Sequence, residues 1–295
     1  MRWLRNGAVL AGAAAAYASF EARAYRVVTR DVPVEANVPE LTVLHVSDFH
    51  LRASQRRLIR FLERLPDRVP TPDLVIATGD LIEDDGGIPP VVEIMGRLEA
   101  RLGRFYVLGS HDLYHSSIRG VLGAWRMFVG LERTKKTARR NDHEALERGL
   151  QEKGWRSLIN RTEVVGAPWG PIRLCGTHDP YLDLHRVDHI RRSRDDAVAI
   201  GVVHAPDIVS DFALRGFDLV LAGHTHAGQV RLPGVGSIVT NSSIPNALSG
   251  GLHRVGGTWL HVSPGLGTGR FTPIRLGAPP EVTLLRLLPR AALFA

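Results

Sequence analysis

Aspartate and histidine side chains follow five short apolar stretches of the sequence, each at the point where the stretch ends. In chain order the five endings are Asp48-Phe-His50, Gly79-Asp80, Gly109-Ser110-His111-Asp112, His204 and Gly223-His224-Thr-His226. Such apolar stretches are typical of strands buried on both faces, and parallel strands place functional residues where they end. One such ending is common by chance, but five in order indicate a metal site.

Two carboxylates and four imidazoles are the strongest candidates for metal ligands: Asp48, His50, Asp80, His204, His224 and His226. Oxygen and nitrogen ligands without a thiolate suit Mn²⁺, iron, Zn²⁺ or Mg²⁺. Six ligands are too many for one catalytic ion that must keep an open coordination position. The set therefore predicts two divalent ions that share a bridging carboxylate, and we favour Mn²⁺.

In this order the endings resemble the motifs of the calcineurin-like metallophosphoesterases: Asp-x-His, Gly-Asp, Gly-Asn-His-(Asp/Glu), His and Gly-His-x-His. The resemblance covers residues 41–288, and 223–233 and 263–281 look closest to a membrane-associated bacterial branch that includes UDP-diacylglucosamine pyrophosphatases. It implies an α/β fold, a four-layer αββα sandwich of two mixed sheets flanked by helices.

The resemblance also divides the ligands between the ions. It implies that Asp48, His50 and His226 hold one ion, that His204 and His224 hold the other, and that the remaining carboxylate bridges them. It implies a metal-dependent phosphoric ester hydrolase, which cleaves phosphodiester or pyrophosphate bonds by attack of a metal-bridging hydroxide.

The remaining carboxylate, which bridges the ions, is Asp80. Three further residues are predicted to act at the site. His111 is the candidate general acid, because the leaving alkoxide needs a proton. Asp112 is predicted to orient the ring of His111 and raise its pKa, although a turn-capping carboxylate is an alternative. Ser110 stands where the family usually has Asn, and a serine hydroxyl is a shorter and weaker ligand. We therefore expect the second ion to be held more weakly, through water, or by His111 itself.

The expected substrate is a phosphodiester or pyrophosphate, lipid-linked or nucleotide-linked. One alternative is a broad-specificity phosphodiesterase for soluble nucleotides, and another is a metal-binding scaffold without turnover. Retention of His111 together with every other candidate ligand favours an enzyme.

The elements that carry these residues alternate between strands and helices in the first half of the chain. Apolar residues recur at helical spacing over 54–65, and the prolines at 89 and 90 open a second helix that extends to about 102. The resulting βαβαβ order indicates a layered α/β domain. A basic insertion, 113–154, follows His111 and Asp112 and is predicted either to overhang the site or to be a solvated helix face. From residue 155 onward short strands dominate.

The N-terminal residues 1–24 are predicted to be a signal-anchor or membrane-associating segment. Arg2 and Arg5 precede an uncharged run, 6–20, rich in Ala, Gly, Val and Leu. A cleaved secretory signal is the alternative. The segment 25–40 is a lead-in to the metallophosphoesterase domain, 41–290, and the predicted location is membrane-associated.

The net charge and the residue composition indicate which classes of partner the protein suits. The formal net charge is +7 and the sequence pI is about 10.1, which suits phosphate esters or an anionic membrane surface. The sequence has no zinc-knuckle, RNP or basic-zipper pattern, so nucleic acid is not specifically indicated. The single cysteine, Cys175, excludes an internal disulfide framework and a cysteine-rich zinc site.

Overall fold

Two mixed β-sheets form the centre of the computed structural model, which describes residues 2–35, 38–116, 139–232 and 234–289. Across the first sheet the strands are β1 (Arg26–Val34), β14 (Glu281–Pro289), β2 (Leu41–Val46), β3 (Leu74–Ala77), β4 (Gly103–Tyr106) and β5 (Arg156–Ser157). Strands β2 to β5 run parallel, and β14 is antiparallel to β2 and parallel to β1.

The second sheet is also mixed. Across it the strands are β12 (Gly251–Val255), β13 (Thr258–Val262), β9 (Leu219–Ala222), β8 (Val198–Val202), β7 (Gly170–Gly176) and β6 (Arg161–Ala167). The four central strands are parallel, and β12 and β6 are antiparallel edges. Strands β10 (Arg231–Leu232) and β11 (Gly236–Ser237) form a separate hairpin.

Strand β3 illustrates why these sheets are buried on both faces. Its four residues are fully buried. Leu74 and Ile76 pack between the two sheets, whereas Val75 and Ala77 pack against the helices outside the first sheet. Alternate side chains of a strand point to opposite faces, so an uninterrupted apolar stretch fits a central strand.

Helices cover the outer faces of both sheets. The α-helices in the described residues are α1 (Arg2–Glu21), α2 (Arg56–Glu63), α3 (Ile88–Arg97), α4 (Ser110–Leu113), α5 (His143–Glu152) and α6 (Val209–Ala213). Helices α2, α3 and α5 contribute to the apolar core on the first sheet, and α6 contributes Phe212 to the core on the second. The predicted four-layer αββα sandwich is confirmed.

The two helices predicted between the first strands are shorter than expected. The first is α2, which occupies 56–63 of the predicted 54–65. The second, α3, ends at Arg97 because Leu98 adopts an extended backbone (φ −78°, ψ 116°) and is buried. Half of the predicted basic insertion, 117–138, lies outside the described residues. The prediction that the insertion overhangs the site falls on these residues. In the remainder, α5 buries Leu146 and Leu150.

The N-terminal boundary differs from the predicted one at residue 24. The carboxylate of Glu21, at the end of α1, accepts hydrogen bonds from the backbone N–H groups of Gly277 (3.1 Å) and Ala278 (2.7 Å). The predicted lead-in contains β1, which is an edge strand. Proline has no N–H to donate to a neighbouring strand, so Pro33 is compatible with an edge position. Within the described ranges we find no helix that is both long and apolar enough to span a bilayer.

Candidate metal centre

All the predicted site residues lie at one end of the sandwich, beyond the carboxyl ends of five parallel strands. Strands β2, β3 and β4 of the first sheet and β8 and β9 of the second lead into them. Backbone hydrogen bonds join neighbouring loops: the N–H of Asp48 donates to the carbonyl of Gly79, and the N–H of His50 donates to that of Asp80, both at 2.9 Å. The candidate residues therefore lie where the strand-end rule predicts a site.

Five of the predicted ligands have a left-handed backbone. Their φ angles are 51° at Asp48, 43° at His50, 51° at Asp80, 70° at His224 and 49° at His226. A residue other than glycine costs on the order of 1–3 kcal/mol in this region, and such residues cluster at functional sites. The chain bends sharply at each strand end, which turns these side chains toward one another.

Two glycines in the motifs are needed for close packing around the ligands. A Cβ at Gly109 would collide with the Asp80 carboxylate and the His204 ring. A Cβ at Gly223 would collide with the side chains of Ser47 and Asp48. The glycines that precede ligands in the sequence therefore make room for ligands from other strands.

The side chains form overlapping clusters of possible metal ligands. One contains Asp48, His50 and His226, and another contains Asp48, Asp80 and His204; within each cluster the ligand atoms lie within 4.8 Å of one another. In the first, the Nε2 atoms of His50 and His226 are 3.1 Å apart. These clusters match the charge and size of divalent cation sites.

Asp80 belongs to the second cluster and also approaches His50 of the first. Its Oδ2 atom is 3.5 Å from Nε2 of His50 and 3.4 Å from Nε2 of His204, which belong to different clusters. Its Oδ1 atom accepts a hydrogen bond from the backbone N–H of His111 at 2.8 Å. The carboxylate is therefore fixed by one oxygen and directs the other to the space that both clusters share.

His204 shows most directly that the cluster suits a metal. Its Nδ1 lies 2.7 Å from the carbonyl oxygen of Thr78, so Nδ1 carries the proton and donates. The lone pair is then on Nε2, which is buried and has no hydrogen-bond partner among the described residues. A buried, unpartnered nitrogen is costly unless it binds something, and metal-ligating histidines have this arrangement.

The clusters also perturb the pKa values of their members. Burial opposes protonation of His50, but the hydrogen bond to Glu83 and the charge of Asp80 outweigh it and raise the pKa of His50 to about 9. Burial likewise opposes ionisation of Asp80, yet the His204 and His111 rings hold the pKa of Asp80 well below its usual range. Without metal, protons supply the positive charge that a divalent ion would supply.

His224 lies at the edge of this arrangement and belongs to none of the clusters found among the described residues. Its Nε2 is 3.1 Å from the carbonyl oxygen of Asn241, and its backbone N–H donates to Oδ1 of Asp48 at 3.0 Å. Its ring is 5.1 Å from the ring of His204, centre to centre. Binding of the second ion by His224 stays a prediction.

His111 is next to the ligands and is reached by solvent, with 30% of its side chain exposed. Its Nδ1 lies 2.9 Å from the hydroxyl of Ser116 and 3.7 Å from Oε2 of Glu83, which leaves Nε2 for a substrate. Burial and the nearby His50 lower the pKa of His111, against the pull of Asp80. His111 also forms a cluster with His50 and Glu83, so both predicted roles, acid and ligand, have a geometric basis.

Asp112 does not orient the ring of His111. Its Oδ1 accepts hydrogen bonds from the backbone N–H groups of Leu81 (2.7 Å) and Ile82 (3.1 Å), and its Oδ2 accepts from that of Gly109 (2.9 Å). The carboxylate thus ties the loop after β3 to the loop after β4. The turn-capping alternative describes these contacts, and the predicted catalytic role of Asp112 is corrected accordingly.

Ser110 is the first residue of α4, in the turn between Gly109 and His111. Both neighbours contact Asp80, one by close packing and one by a hydrogen bond. The backbone of Ser110 is therefore held next to Asp80 and the second cluster. Its role as a metal ligand stays a prediction.

Sequence reasoning missed Glu83, which is buried beneath His50. Its Oε2 lies 3.0 Å from Nδ1 of His50, so the carboxylate holds that ring with Nε2 toward the cluster. Glu83 is followed by Asp84 and Asp85, and three consecutive acids resemble a solvated loop. Its distance of three residues from Asp80 was the one available signal.

A buried hydrogen-bond chain supporting Asp48 was also missed. Nδ1 of His261 lies 2.8 Å from Nδ1 of His45, and Nε2 of His45 lies 2.9 Å from the hydroxyl of Thr78. The Thr78 hydroxyl donates to that of Ser47 at 2.6 Å, and the Ser47 hydroxyl donates to the Asp48 carboxylate. Because His45 is on β2 and His261 on β13, the chain connects both sheets to a ligand.

Arg275 lies behind the candidate ligand His226. It is fully buried, and its Nη2 donates to two carbonyl oxygens of the loop 264–267, at 2.6 and 2.7 Å. The same nitrogen lies 3.1 Å from Nδ1 of His226. Glu281 pairs with Arg26, at 2.8 Å. Arg275 therefore supports the loop behind a ligand.

A cavity of about 650 Å³ lies beside His224. Tyr181 and Asn241 line it, and both contact His224: the ring of Tyr181 is 4.6 Å away, and the Asn241 carbonyl accepts the hydrogen bond described above. The lining also includes the apolar side chains of Ile238 and Val239. The cavity could hold the part of a substrate that extends from the metal centre.

Comparisons with known proteins identify the family. The family model described as calcineurin-like phosphoesterase matches residues 41–228. The uncharacterized metallophosphoesterase YkoQ of Bacillus subtilis is 25% identical over 252 residues, which cover 83% of this chain and 82% of that protein. YkuE of the same organism is 29% identical over 219 residues, covering 73% of this chain and 68% of its own length.

Two further matches are more distant or partial. A Danio rerio protein named transmembrane protein with metallophosphoesterase domain is 27% identical over 280 residues, covering 88% of this chain and 56% of that protein. The crystal structure of phosphopantetheinyl hydrolase from Mycobacterium tuberculosis superimposes with a TM-score of 0.43 and 13% identity, over 87% of this chain and 98% of that one.

The matched residues, 41–228, include every predicted metal ligand and His111. The chain therefore belongs to the calcineurin-like phosphoesterase family and is a metal-dependent phosphoric ester hydrolase.

Proposed function

We propose that this chain hydrolyses phosphodiester or pyrophosphate bonds at a centre of two divalent ions, with Mn²⁺ favoured. The position of Asp80 carries the proposal, since its Oδ2 lies at nearly equal distances from His50 and His204. A carboxylate in that position can serve two ions at once.

The family resemblance supplies the division of the ligands. Asp48, His50 and His226 would hold one ion, and their clustering supports this. Asp80 would bridge the two ions and His204 would hold the other, and the clustering of both residues with Asp48 supports a pair of adjoining sites. His224 and Ser110 would complete the second site, which the clusters leave with fewer ligands. When bound, the ions would supply Lewis-acid charge at the phosphoryl oxygens and activate a water molecule at neutral pH.

The chain's own residues contribute orientation and proton transfer. Glu83 and the Thr78 carbonyl fix the rings of His50 and His204 by their Nδ1 atoms. His111, with Nδ1 beside Ser116, would give the proton on Nε2 to the leaving oxygen. The lowered pKa of His111 makes its protonated ring a stronger acid. The ring can donate a proton only in the protonated form.

We further propose that the substrate is amphiphilic and that the protein works at a membrane. The resemblance to the branch with UDP-diacylglucosamine pyrophosphatases supports this, as does the cavity, whose lining combines Tyr181 and Asn241 with the apolar side chains of Ile238 and Val239. A lipid-linked phosphoester has polar and apolar groups to match such a lining. A diester of soluble nucleotides has no acyl chain for the apolar side chains.

The test is metal analysis of protein purified without added metal, followed by turnover of bis-p-nitrophenyl phosphate with Mn²⁺ added back. Asp80→Asn should lower turnover by at least about a hundredfold and lower the metal content below that of His50→Ala, because one carboxylate serves both ions. Asp195→Asn, the same change on an exposed loop, is the control. Substantial turnover by Asp80→Asn would disprove the shared carboxylate.

A second comparison addresses the substrate. UDP-diacylglucosamine and a water-soluble dinucleotide diester should be assayed with the same metal-loaded protein. We expect a higher kcat/KM for the lipid-linked substrate. A higher value for the dinucleotide would favour the soluble-nucleotide phosphodiesterase.

A further inference from the structure

Large apolar side chains are exposed mainly on one face of the protein. Of the eleven such residues in the described ranges, eight form what we name the apolar face: Tyr17, Phe20, Leu232, Val235, Ile238, Val239, Phe271 and Ile274. The remaining three, Val164, Leu184 and Leu214, come from other parts of the chain. Single exposed apolar residues are normal, but a concentration of them marks an interaction surface.

Backbone hydrogen bonds bring the three stretches of the apolar face together. The N–H of Arg275 donates to the carbonyl of Ala18 in α1 at 3.0 Å, which joins α1 to the segment 271–276. The N–H of Arg231 in β10 donates to the carbonyl of Leu276 at 2.7 Å, which joins the same segment to the hairpin β10–β11. Three stretches that are distant in sequence thus lie side by side.

The stretches that form the apolar face carry positive charge and almost no negative charge. The sequence has no Asp or Glu between Asp218 and Glu281, and none in 2–20. Glu21, at the end of α1, is buried and bound to backbone N–H groups. Arg270 is exposed directly beside Phe271. The face therefore combines apolar groups with positive charge and carries no exposed carboxylate from these stretches.

The apolar face also borders the metal centre. Ile238 and Val239 belong to the face and line the cavity, which reaches His224 through Asn241 and Tyr181. An acyl chain held at the face would thus lie next to the cavity that borders His224.

We propose that the apolar face binds an anionic lipid surface and presents the cavity to it, so that a phosphoester can pass from the lipid to the metal centre. Exposed apolar side chains beside an arginine, in stretches without exposed carboxylates, suit binding at the headgroup level of anionic membranes. A second copy of this chain fits less well, because a twofold interface would place positive charge against positive charge.

The delivery of substrate rests on the proposed function, whereas lipid binding does not. Vesicle co-sedimentation tests the binding. The full chain should sediment with vesicles of equal parts phosphatidylcholine and phosphatidylglycerol, and less with phosphatidylcholine alone. The double variant Val235→Asp/Phe271→Asp should lower the bound fraction on anionic vesicles by at least about tenfold, because each acid adds repulsion and removes apolar contact.

Leu214→Asp is the matched control, since Leu214 is 86% exposed and lies outside the face. It should leave vesicle binding unchanged. Equal binding by wild type and the double variant, or an equal loss with Leu214→Asp, would overturn the proposal. A double variant that sediments normally but changes from dimer to monomer by light scattering would identify self-association instead.

Turnover of bis-p-nitrophenyl phosphate, measured on the same preparations, separates the two proposals. Metal-dependent turnover without vesicle binding would refute the lipid surface and leave the proposed function intact. Vesicle binding without turnover would do the reverse. Should the double variant fail to fold, Arg270→Glu should still reduce binding to anionic vesicles, and an unchanged value there would count against the face.

Discussion

At the scale of single residues, each imidazole at the centre has one nitrogen occupied by the protein. His50 uses Nδ1 with Glu83, His204 uses Nδ1 with the Thr78 carbonyl, and His224 uses Nε2 with the Asn241 carbonyl. These partners fix the tautomer and the plane of each ring, and this orientation is worth about 10–100-fold in metal affinity at comparable sites. The residues behind the ligands therefore matter nearly as much as the ligands.

His111 should affect proton transfer and not metal binding. We expect His111→Ala to reduce kcat by about 10²–10⁴ for an alkyl phosphodiester and far less for a p-nitrophenyl ester, whose leaving group needs no acid. The measurement is kcat for both substrates together with bound metal. His253→Ala, on β12, is the control. An equal loss on both substrates with less bound metal would identify His111 as a ligand.

Ser110 should make the second ion the weaker one. If its hydroxyl is a poor ligand, activity should rise with added Mn²⁺ after one equivalent has bound. Ser110→Asn should lower the Mn²⁺ concentration for half-maximal rate by about tenfold, or roughly 1.4 kcal/mol, because water replaces part of the lost contact in the wild type.

The control for Ser110 is Ser54→Asn, at an exposed position. An unchanged or higher Mn²⁺ requirement in Ser110→Asn would mean that the turn after β4 does not direct residue 110 to the ion.

At the scale of elements, α1 is both a peripheral helix and a partner of the domain. Its last turn supplies the Ala18 carbonyl and the Glu21 carboxylate to the segment 275–278. Arg275 in that segment contacts His226. The helix thus stabilises a loop one contact away from a metal ligand.

A chain that begins at Tyr25 keeps every candidate ligand and should still hydrolyse a water-soluble ester. It should nevertheless lose about 1–3 kcal/mol of unfolding free energy, because the N–H groups of Gly277 and Ala278 lose the Glu21 carboxylate. Urea unfolding measures this. A chain that begins at Gly12 retains Glu21 and is the control, and equal stability of the two would show that the contact contributes nothing.

At the scale of the whole molecule, the two sheets are joined by polar groups as well as by the apolar core. His45 and His261 meet between the sheets, and both are fully buried. Burial lowers the pKa of His45 to about 3 and holds the pKa of His261 well below its usual range, with the neighbouring ring adding to this. Both rings are therefore neutral in the folded protein at neutral pH.

This pair should make the fold sensitive to acid. In the unfolded chain each ring binds a proton below about pH 6.5, whereas the folded protein does not, so the unfolding free energy falls as pH decreases from about 6.5 toward 3. His261→Gln should make this dependence shallower, by up to about 1.4 kcal/mol per pH unit. Urea unfolding of metal-free protein at pH 7 and pH 5 measures the difference.

His253→Gln, a histidine on β12 outside the pair, is the control for this change. A pH dependence of His261→Gln that parallels the wild type would show that the buried pair is not responsible.

The sequence by itself determined the class of fold and the residues at the strand ends. Burial on both faces leaves a continuous apolar stretch, as in 74–77, and the chain must then turn at a residue such as Asp80. Both signals are local, so a layered α/β domain and the strand-end positions of the candidate ligands could be read from spacing. The αββα sandwich was implied by the resemblance to the family.

The tertiary structure decided which groups support those ligands. In the sequence, Glu83 resembles a solvated acid, and Asp112 resembles an acid that orients the ring of His111. Their actual partners are His50 and the backbone N–H groups of two loops, and these contacts depend on how adjacent strand-end loops meet. His45 and His261 are 216 residues apart in sequence and meet only when the sheets pack. Local spacing reports which side chains are buried, whereas contacts between distant segments arise from packing.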